Sequence, residues 1–306
     1  PAPVPLPPPA PEAIGVEEGV DYTVWRGDGT PASMADLLEA AGSADALLLG
    51  EEHDDVVGHR VQLEIFRRVL VDHGGRGPMP SPQPDGSGPD LAEIRPVVLS
   101  LEMFERDVQT VLNEYLADLV TEDHFLRSAR PWDNYERDYR PLVELAKETG
   151  VEVVAANAPR RYANRASRLG RASLEELSEE AKAWLPPLPY PEASEPYRAE
   201  WDAIMGAAAM HMSGEPLDAQ MLWDAAMGEA IAGALDRRDD AIVMHLAGVF
   251  HVQNGTGTPE TLAHYRPSAR QLLVAVYTSE SPGVFDPENE GAGDFVILTR
   301  APAADR

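Results

Sequence analysis

Six short apolar runs constrain this chain more than any other feature. They are Ala46–Leu49, Val97–Leu101, Val151–Ala156, Ile242–Ala247, Leu272–Tyr277 and Phe295–Leu298. Several are apolar throughout rather than alternating, as strands are when a parallel sheet is covered on both faces. Between them lie segments with helical spacing. From Val108, the residues Val111, Leu112, Tyr115, Leu116 and Leu119 form one apolar stripe, at the periodicity of a helix that packs on a sheet. The expected fold is α/β: a mostly parallel central sheet flanked by helices, with additional helices inserted in the middle of the chain.

The remaining elements follow from local signals. YTVWRG, Tyr22 to Gly27, reads as a short edge strand, and Ser33 as the cap of a helix through Ala41. A long helical region from Tyr197 to Leu235 is interrupted at SGEP, Ser213 to Pro216. Gly74 to Asp90, GGRGPMPSPQPDGSGPD, reads as a flexible surface loop. PAPVPLPPPAPEA, Pro1 to Ala13, reads as a stiff extended tether. In a bacterium such a tether, after a removed signal sequence, commonly joins a lipid-anchored cysteine to a folded domain. A plain disordered N-terminus has the same composition. The organisation expected is a tether over residues 1–20 and one α/β domain over residues 21–306.

Composition narrows the partners. The net charge is -27 over 306 residues, which argues against nucleic acid because phosphates would be repelled. Lys147 and Lys182 are the only lysines, and such an acidic, lysine-poor surface suits high salt, where screening weakens self-repulsion. The absence of cysteine excludes disulfides and thiolate metal sites. No apolar run reaches the length of about eighteen residues that a transmembrane helix requires.

In open parallel sheets, ligands bind beyond the carboxyl ends of the strands. There the first apolar run delivers Gly50-Glu51-Glu52-His53 and the second Glu102. The third delivers Asn157 and then Pro159-Arg160-Arg161-Tyr162, and the fourth Gly248 and His251. Two G-x-x-H motifs, GEEH and GVFH, with a glutamate after an intervening strand, resemble the Tiki/TraB superfamily. Within it, LEMFERDVQ, WDNYERDYRPLVELA, AANAPRRY, AKAWLPPLPY, AQMLWDAAM and GVFHVQNGTGTPETLAHYRP are similar to the ChaN haem-binding lipoproteins. The likeness runs from about Ala46 to Pro267. It implies a lipid-anchored, extracytoplasmic protein of iron acquisition, supplied through an outer-membrane haem receptor. It also implies a homodimer holding a cofacial pair of haems, with a tyrosine as axial ligand.

The residues themselves admit these roles and simpler ones. Trp132, Tyr135 and Tyr139 stand at i, i+3 and i+7, one face of a helix. They serve either as core packing or as a haem platform with a phenolate ligand suited to ferric iron. Tyr135 is the first candidate and Tyr139 the second. Arg160, Arg161 and Tyr162 open a helix, where two guanidinium groups would hold haem propionates or pair with surface acids. Met205, Met210, Met212, Met221 and Met227 crowd the long helical region, as core or as adaptable ligand surface, with His211 a further candidate ligand.

His53, His251, Glu52 and Glu102 have three readings. They bind a divalent metal, contact haem, or tie strand ends together. In the metal reading Glu52 activates a bound water, as in the metal-dependent peptidases proposed within the superfamily, and the protein is a hydrolase. There is no Walker loop, no G-x-G-x-x-G after a strand and no G-x-S-x-G elbow.

Overall fold

A computed structural model describes residues 15–74, 95–209 and 214–301. The expected loop (except Gly74), the expected tether up to its fourteenth residue, and Met210, His211 and Met212 lie outside the described residues.

The strands are β1 (Tyr22–Arg26), β2 (Pro31–Ala32), β3 (Ala46–Glu51), β4 (Val97–Glu105), β5 (Glu152–Asn157), β6 (Ile242–Gly248), β7 (Gln271–Ser279) and β8 (Phe295–Arg300). They form one sheet in the order β2-β1-β8-β7-β3-β6-β4-β5. The six strands from β8 to β5 are parallel, and β1 closes the far side antiparallel to β8 and β2. Each apolar run of the sequence is a strand core. β4 extends four residues beyond its run, to Glu105, across an irregularity between Leu101 and Glu105.

The helices are α1 (Met34–Ser43), α2 (Val56–Asp72), α3 (Gln109–Leu116), α4 (Glu122–Ala129), α5 (Tyr135–Asp138), α6 (Arg140–Thr149), α7 (Arg160–Leu169), α8 (Glu179–Lys182), α9 (Glu195–Ala209), α10 (Pro216–Arg237) and α11 (Thr258–Tyr265). None among the described residues is long and apolar enough to cross a membrane. Ser33 caps α1 as expected, closing a capping box with Asp36. Strand alternation splits the sheet's side chains between two faces. Leu47, Leu49, Leu99, Leu101, Val153 and Met244 meet residues of α1 to α6 on one face. Leu48, Val98, Val154 and Val243 meet Met227, Ile231 and Leu235 of α10 and Leu262 of α11 on the other. The result is three layers, helix on sheet on helix. Tyr197 of α9, Leu222 of α10 and Ala163 of α7 build a further core beyond the second face.

Two expected helices are shorter than their patterns. The stripe from Val108 breaks at Ala117, Asp118 takes a left-handed backbone, and Leu119 is exposed. Trp132, Tyr135 and Tyr139 do not share one helix face: α5 is a single turn beginning at Tyr135, and Trp132 precedes it. Pro131 stands just before the turn, and Pro141, at the start of α6, has no N–H for a continuing helical ladder.

Candidate functional site

β3, β6, β4 and β5 are consecutive in the sheet, so their carboxyl ends lie side by side. β3 ends at Glu51 opposite Gly248 of β6, and Glu105 of β4 stands opposite Asn157 of β5. Beyond these ends is a cleft of about 300 Å³ lined by His53, Glu102, Trp132, Asn157, Arg160, Trp223 and His251. Four of these were expected ligands of haem or metal, and a fifth, Trp132, an expected stacking ring.

His53 follows β3 on a segment fastened through its own carbonyl, which accepts from Asn134 Nδ2 (2.8 Å) and lies 3.1 Å from His59 Nε2. Its Nδ1 is 3.1 Å from Glu51 Oε1. Glu51 is buried and also accepts from Gln62 Nε2 (2.7 Å) and from the Tyr139 hydroxyl. Trp132 meets the His53 ring edge-on, centroids 4.6 Å apart. Gly248 makes room for that ring, since a Cβ there would stand 3.0 Å from His53 Cε1. Burial pulls the basicity of His53 down. The Glu51 hydrogen bond and the charge of Glu102 outweigh burial and raise its pKa above the ordinary value, against the opposing charge of His251.

His251 follows β6 and is buried. Its Nδ1 lies 2.8 Å from Asp224 Oδ1, and its Nε2 lies 3.6 Å from Glu102 Oε1. Burial opposes charging this ring, but Asp224 and Glu102 push its pKa up to about 9. Asp224, on α10, is fully buried and also accepts from the hydroxyls of Thr258 (2.9 Å) and Tyr197. Glu102 accepts from the backbone N–H of Gly248 at 2.7 Å. Each cleft histidine is thus oriented by a carboxylate behind it, the arrangement that fixes a ring's tautomer at a binding site.

Other expected residues are not brought here. The Glu52 carboxylate accepts from the backbone N–H of Thr278 (2.9 Å) and from its hydroxyl, on the far side of β3. Strand parity sends consecutive residues to opposite faces, and it is Glu51 that faces His53. Among the described residues, no group of three His, Asp or Glu side chains is placed to hold a metal ion. Of the expected divalent-metal set, His53, Glu102 and His251 line the cleft together, and Glu52 is turned away to Thr278.

Tyr135 packs beside Phe104 and Phe125, with its hydroxyl buried and unpartnered. Tyr139 is buried and spends its hydroxyl on Glu51. Burial raises both phenol pKa values, with Tyr115 adding to the shift at Tyr135 and Glu51 to that at Tyr139. Arg161 pairs with Asp107 and lies 4.4 Å over the Tyr162 ring, and neither residue is among those lining the cleft. Met221 and Met227 are core, and Met205 is half-buried.

Asp224, His59, Gln62 and Trp223 were missed, and Glu51, although read at the strand end, was given no role. Parity could have found Glu51, because it shares a face with Leu47 and Leu49. Asp224 had one signal, a lone acid inside the apolar segment AQMLWDAAM.

A mostly parallel sheet with helices on both faces, and a histidine-lined cleft beyond its strand ends, defines an α/β ligand-binding protein. The chain belongs to the haem-binding uptake family, Tiki superfamily, ChaN, whose model matches residues 37–262. Its fold is similar to that of ChaN of Campylobacter jejuni, which shows cofacial haem binding, with a TM-score of 0.66 at 16% identity over 94% of this chain and 100% of that one. The type III effector HopBA1 has a TM-score of 0.44 at 12% identity, over 87% of this chain and 92% of that one. Protein RETICULATA-RELATED 5, chloroplastic, of Arabidopsis thaliana is 24% identical over 204 residues. That match takes in 59% of this chain, which spans about a quarter (26%) of the plant protein.

Proposed function

We propose that this protein binds ferric haem at the cleft beyond β3, β6, β4 and β5, and serves haem or iron acquisition. The observation that carries the reading is the set of unsatisfied groups in the cleft of a haem-family chain. Trp223 Nε1 and Asn157 Oδ1 are buried without a hydrogen-bond partner among the described residues. Buried polar atoms of this kind ordinarily have one. A porphyrin needs an iron ligand, donors for its carboxylates and aromatic walls. The cleft supplies two imidazoles, the indole N–H of Trp223 and the Arg160 guanidinium, and the ring of Trp132.

The finer parts of the reading rest on the family. A second copy of the chain would cover the face of the haem that this shallow cleft leaves open. The proline-rich segment Pro1–Ala13 supports an extracytoplasmic, lipid-tethered placement that receives haem from an outer-membrane receptor. A tyrosinate ligand would require the Tyr139–Glu51 hydrogen bond to break, or Tyr135 to leave the core. The metal-dependent hydrolase reading loses its base, because Glu52 is turned to Thr278.

Titration of the purified protein with ferric haem, followed by absorption and light scattering, tests the proposal. Saturable uptake with a defined Soret band is expected, together with a doubling of mass on loading. Spectra identical to free haem at every ratio would refute it.

The two neighbouring arginines should separate in the same assay. Arg160 lines the cleft and stands 4.0 Å from Glu105, whereas Arg161 is held by Asp107. Arg160→Gln is expected to weaken haem binding by roughly tenfold, the scale of one charge-assisted hydrogen bond of about 1.5 kcal/mol. Arg161→Gln should leave affinity within about twofold, a change well below that scale. Equal losses for the two would remove Arg160 from the site.

A further inference from the structure

Resting on the haem reading, we infer that Trp223 and Asn157 form a subsite in the cleft for one carboxyl group of the ligand, held there as the neutral acid. The ligand's other carboxyl, as an anion, belongs to Arg160. The subsite starts from two unpaired atoms. Asn157 is only 8% exposed, and its buried Oδ1 has no hydrogen-bond partner among the described residues. Trp223 Nε1 is likewise buried and unpartnered there. Both residues line the cleft, Asn157 from the end of β5 and Trp223 from α10. An indole N–H only donates and an amide oxygen only accepts. One group that satisfies both must therefore accept once and donate once.

Of the groups at the rim of a haem, methyl and vinyl substituents do neither, and an ionised propionate only accepts. A propionic acid does both, its carbonyl oxygen taking the indole proton and its O–H going to the amide oxygen. The charges around the cleft favour that form. His251, after β6, is committed to Asp224 at 2.8 Å and faces Glu102 at 3.6 Å. His53, after β3, has Nδ1 3.1 Å from the buried Glu51. Arg160, at the start of α7, has an exposed side chain 4.0 Å from Glu105. Glu102, from β4, is buried and lines the same cleft. A carboxylate between Trp223 and Asn157 would thus be buried near a like charge, with every nearby cation already facing an acid. Burial and a like charge both favour the protonated form of a carboxyl group. The neighbouring propionate, reaching out to the exposed guanidinium, keeps its charge. Carboxyl groups are ionised in water at neutral pH, so haem binding takes up a proton from solvent.

The experiment is a calorimetric titration of the full chain with ferric haem at neutral pH, in buffers of different ionisation enthalpy, which counts protons. Uptake of about one proton per haem is expected, the charge of a single carboxyl group. Haem with one propionate converted to a primary carboxamide should bind with an affinity within about threefold of haem and take up no proton, because a carboxamide donates and accepts without a charge. Trp223→Phe and Asn157→Ala should each weaken haem binding by roughly tenfold, the scale of one hydrogen bond. Arg160→Gln should lower affinity and leave the proton count in place. Haem binding without proton uptake would overturn the inference, since the bound group would then be a carboxylate. Uptake that persists with the monoamide would also overturn it, by placing the proton on His53 or another group of the cleft. So would unchanged affinity in both Trp223→Phe and Asn157→Ala, which would leave those atoms to solvent. Failure of the unaltered protein to take up haem would instead bring down the haem reading itself, and the subsite with it.

Discussion

Replacing Asp224 with alanine is expected to destabilise the folded protein by about 3–5 kcal/mol, the scale for removing one partner of a buried ion pair. Asp224 is wholly buried on α10 and accepts from three side chains: His251 Nδ1, the Thr258 hydroxyl and the Tyr197 hydroxyl. It joins α9, α10, α11 and the segment after β6, none of which is adjacent to the others through a strand pair. Its loss leaves a buried imidazolium without its nearest anion and two hydroxyls without acceptors, each a substantial penalty. Gly257 belongs to the same construction, with a backbone φ of +67° and a Cβ position only 2.8 Å from Asp224 Oδ1. Urea denaturation of Asp224→Ala and Asp224→Asn checks the point. A midpoint shift worth under about 1 kcal/mol for the alanine variant, the net value of one ordinary hydrogen bond, would show that the network is dispensable.

Stability should also fall as pH rises from about 6.5 toward about 9, by on the order of 3 kcal/mol from His251. The folded protein holds the His251 proton more tightly than the unfolded chain does, because Asp224 and Glu102 face it. Below the unfolded pKa both states carry the proton and the stabilisation is complete. Above the folded pKa neither does, and it is gone. His245 works in the opposite sense. Burial, with the charge of His251 acting in the same sense, pushes its pKa down to about 3, so its contribution is present above about 6.5 and lost as pH falls toward 3. The two histidines therefore place a stability maximum near neutral pH. Denaturant midpoints measured across this range at constant ionic strength should show the alkaline decline, and His251→Gln should flatten it. An unaltered alkaline limb in that variant would assign the decline to other groups.

Much of the architecture is local and was legible in the chain. A strand buried on both faces must be apolar along its whole length, so the six runs identify the six parallel strands without further information. The cap at Ser33 and the stop before Pro216 are likewise written in residues within a few positions of the break. Ligand sites of parallel sheets lie beyond the carboxyl ends, which made His53, Glu102, Arg160 and His251 candidates before any geometry was known. The family likeness rests on motifs of the same local kind.

What tertiary structure decided is which of those candidates face one another. Glu51 and Glu52 are neighbours of equal chemistry, yet parity and the position of α2 and α6 send Glu51 to His53 and Tyr139, and the neighbour strand β7 receives Glu52. The two arginines after β5 also diverge, because Asp107, more than fifty residues earlier in the chain, takes only the second. The tyrosines at 135 and 139 are both buried in the core, on either end of the one-turn helix α5, a placement their spacing alone does not give. Asp224 lies on a helix between the third and fourth cleft-forming strands in sequence, marked locally only as a lone acid in an apolar segment. Its importance comes from α10 crossing the sheet face and bringing a carboxylate to His251, 27 positions away. Spacing along a chain fixes the period of a strand or helix, but a hydrogen bond between distant segments depends on how the layers dock, and docking is set by the whole core at once.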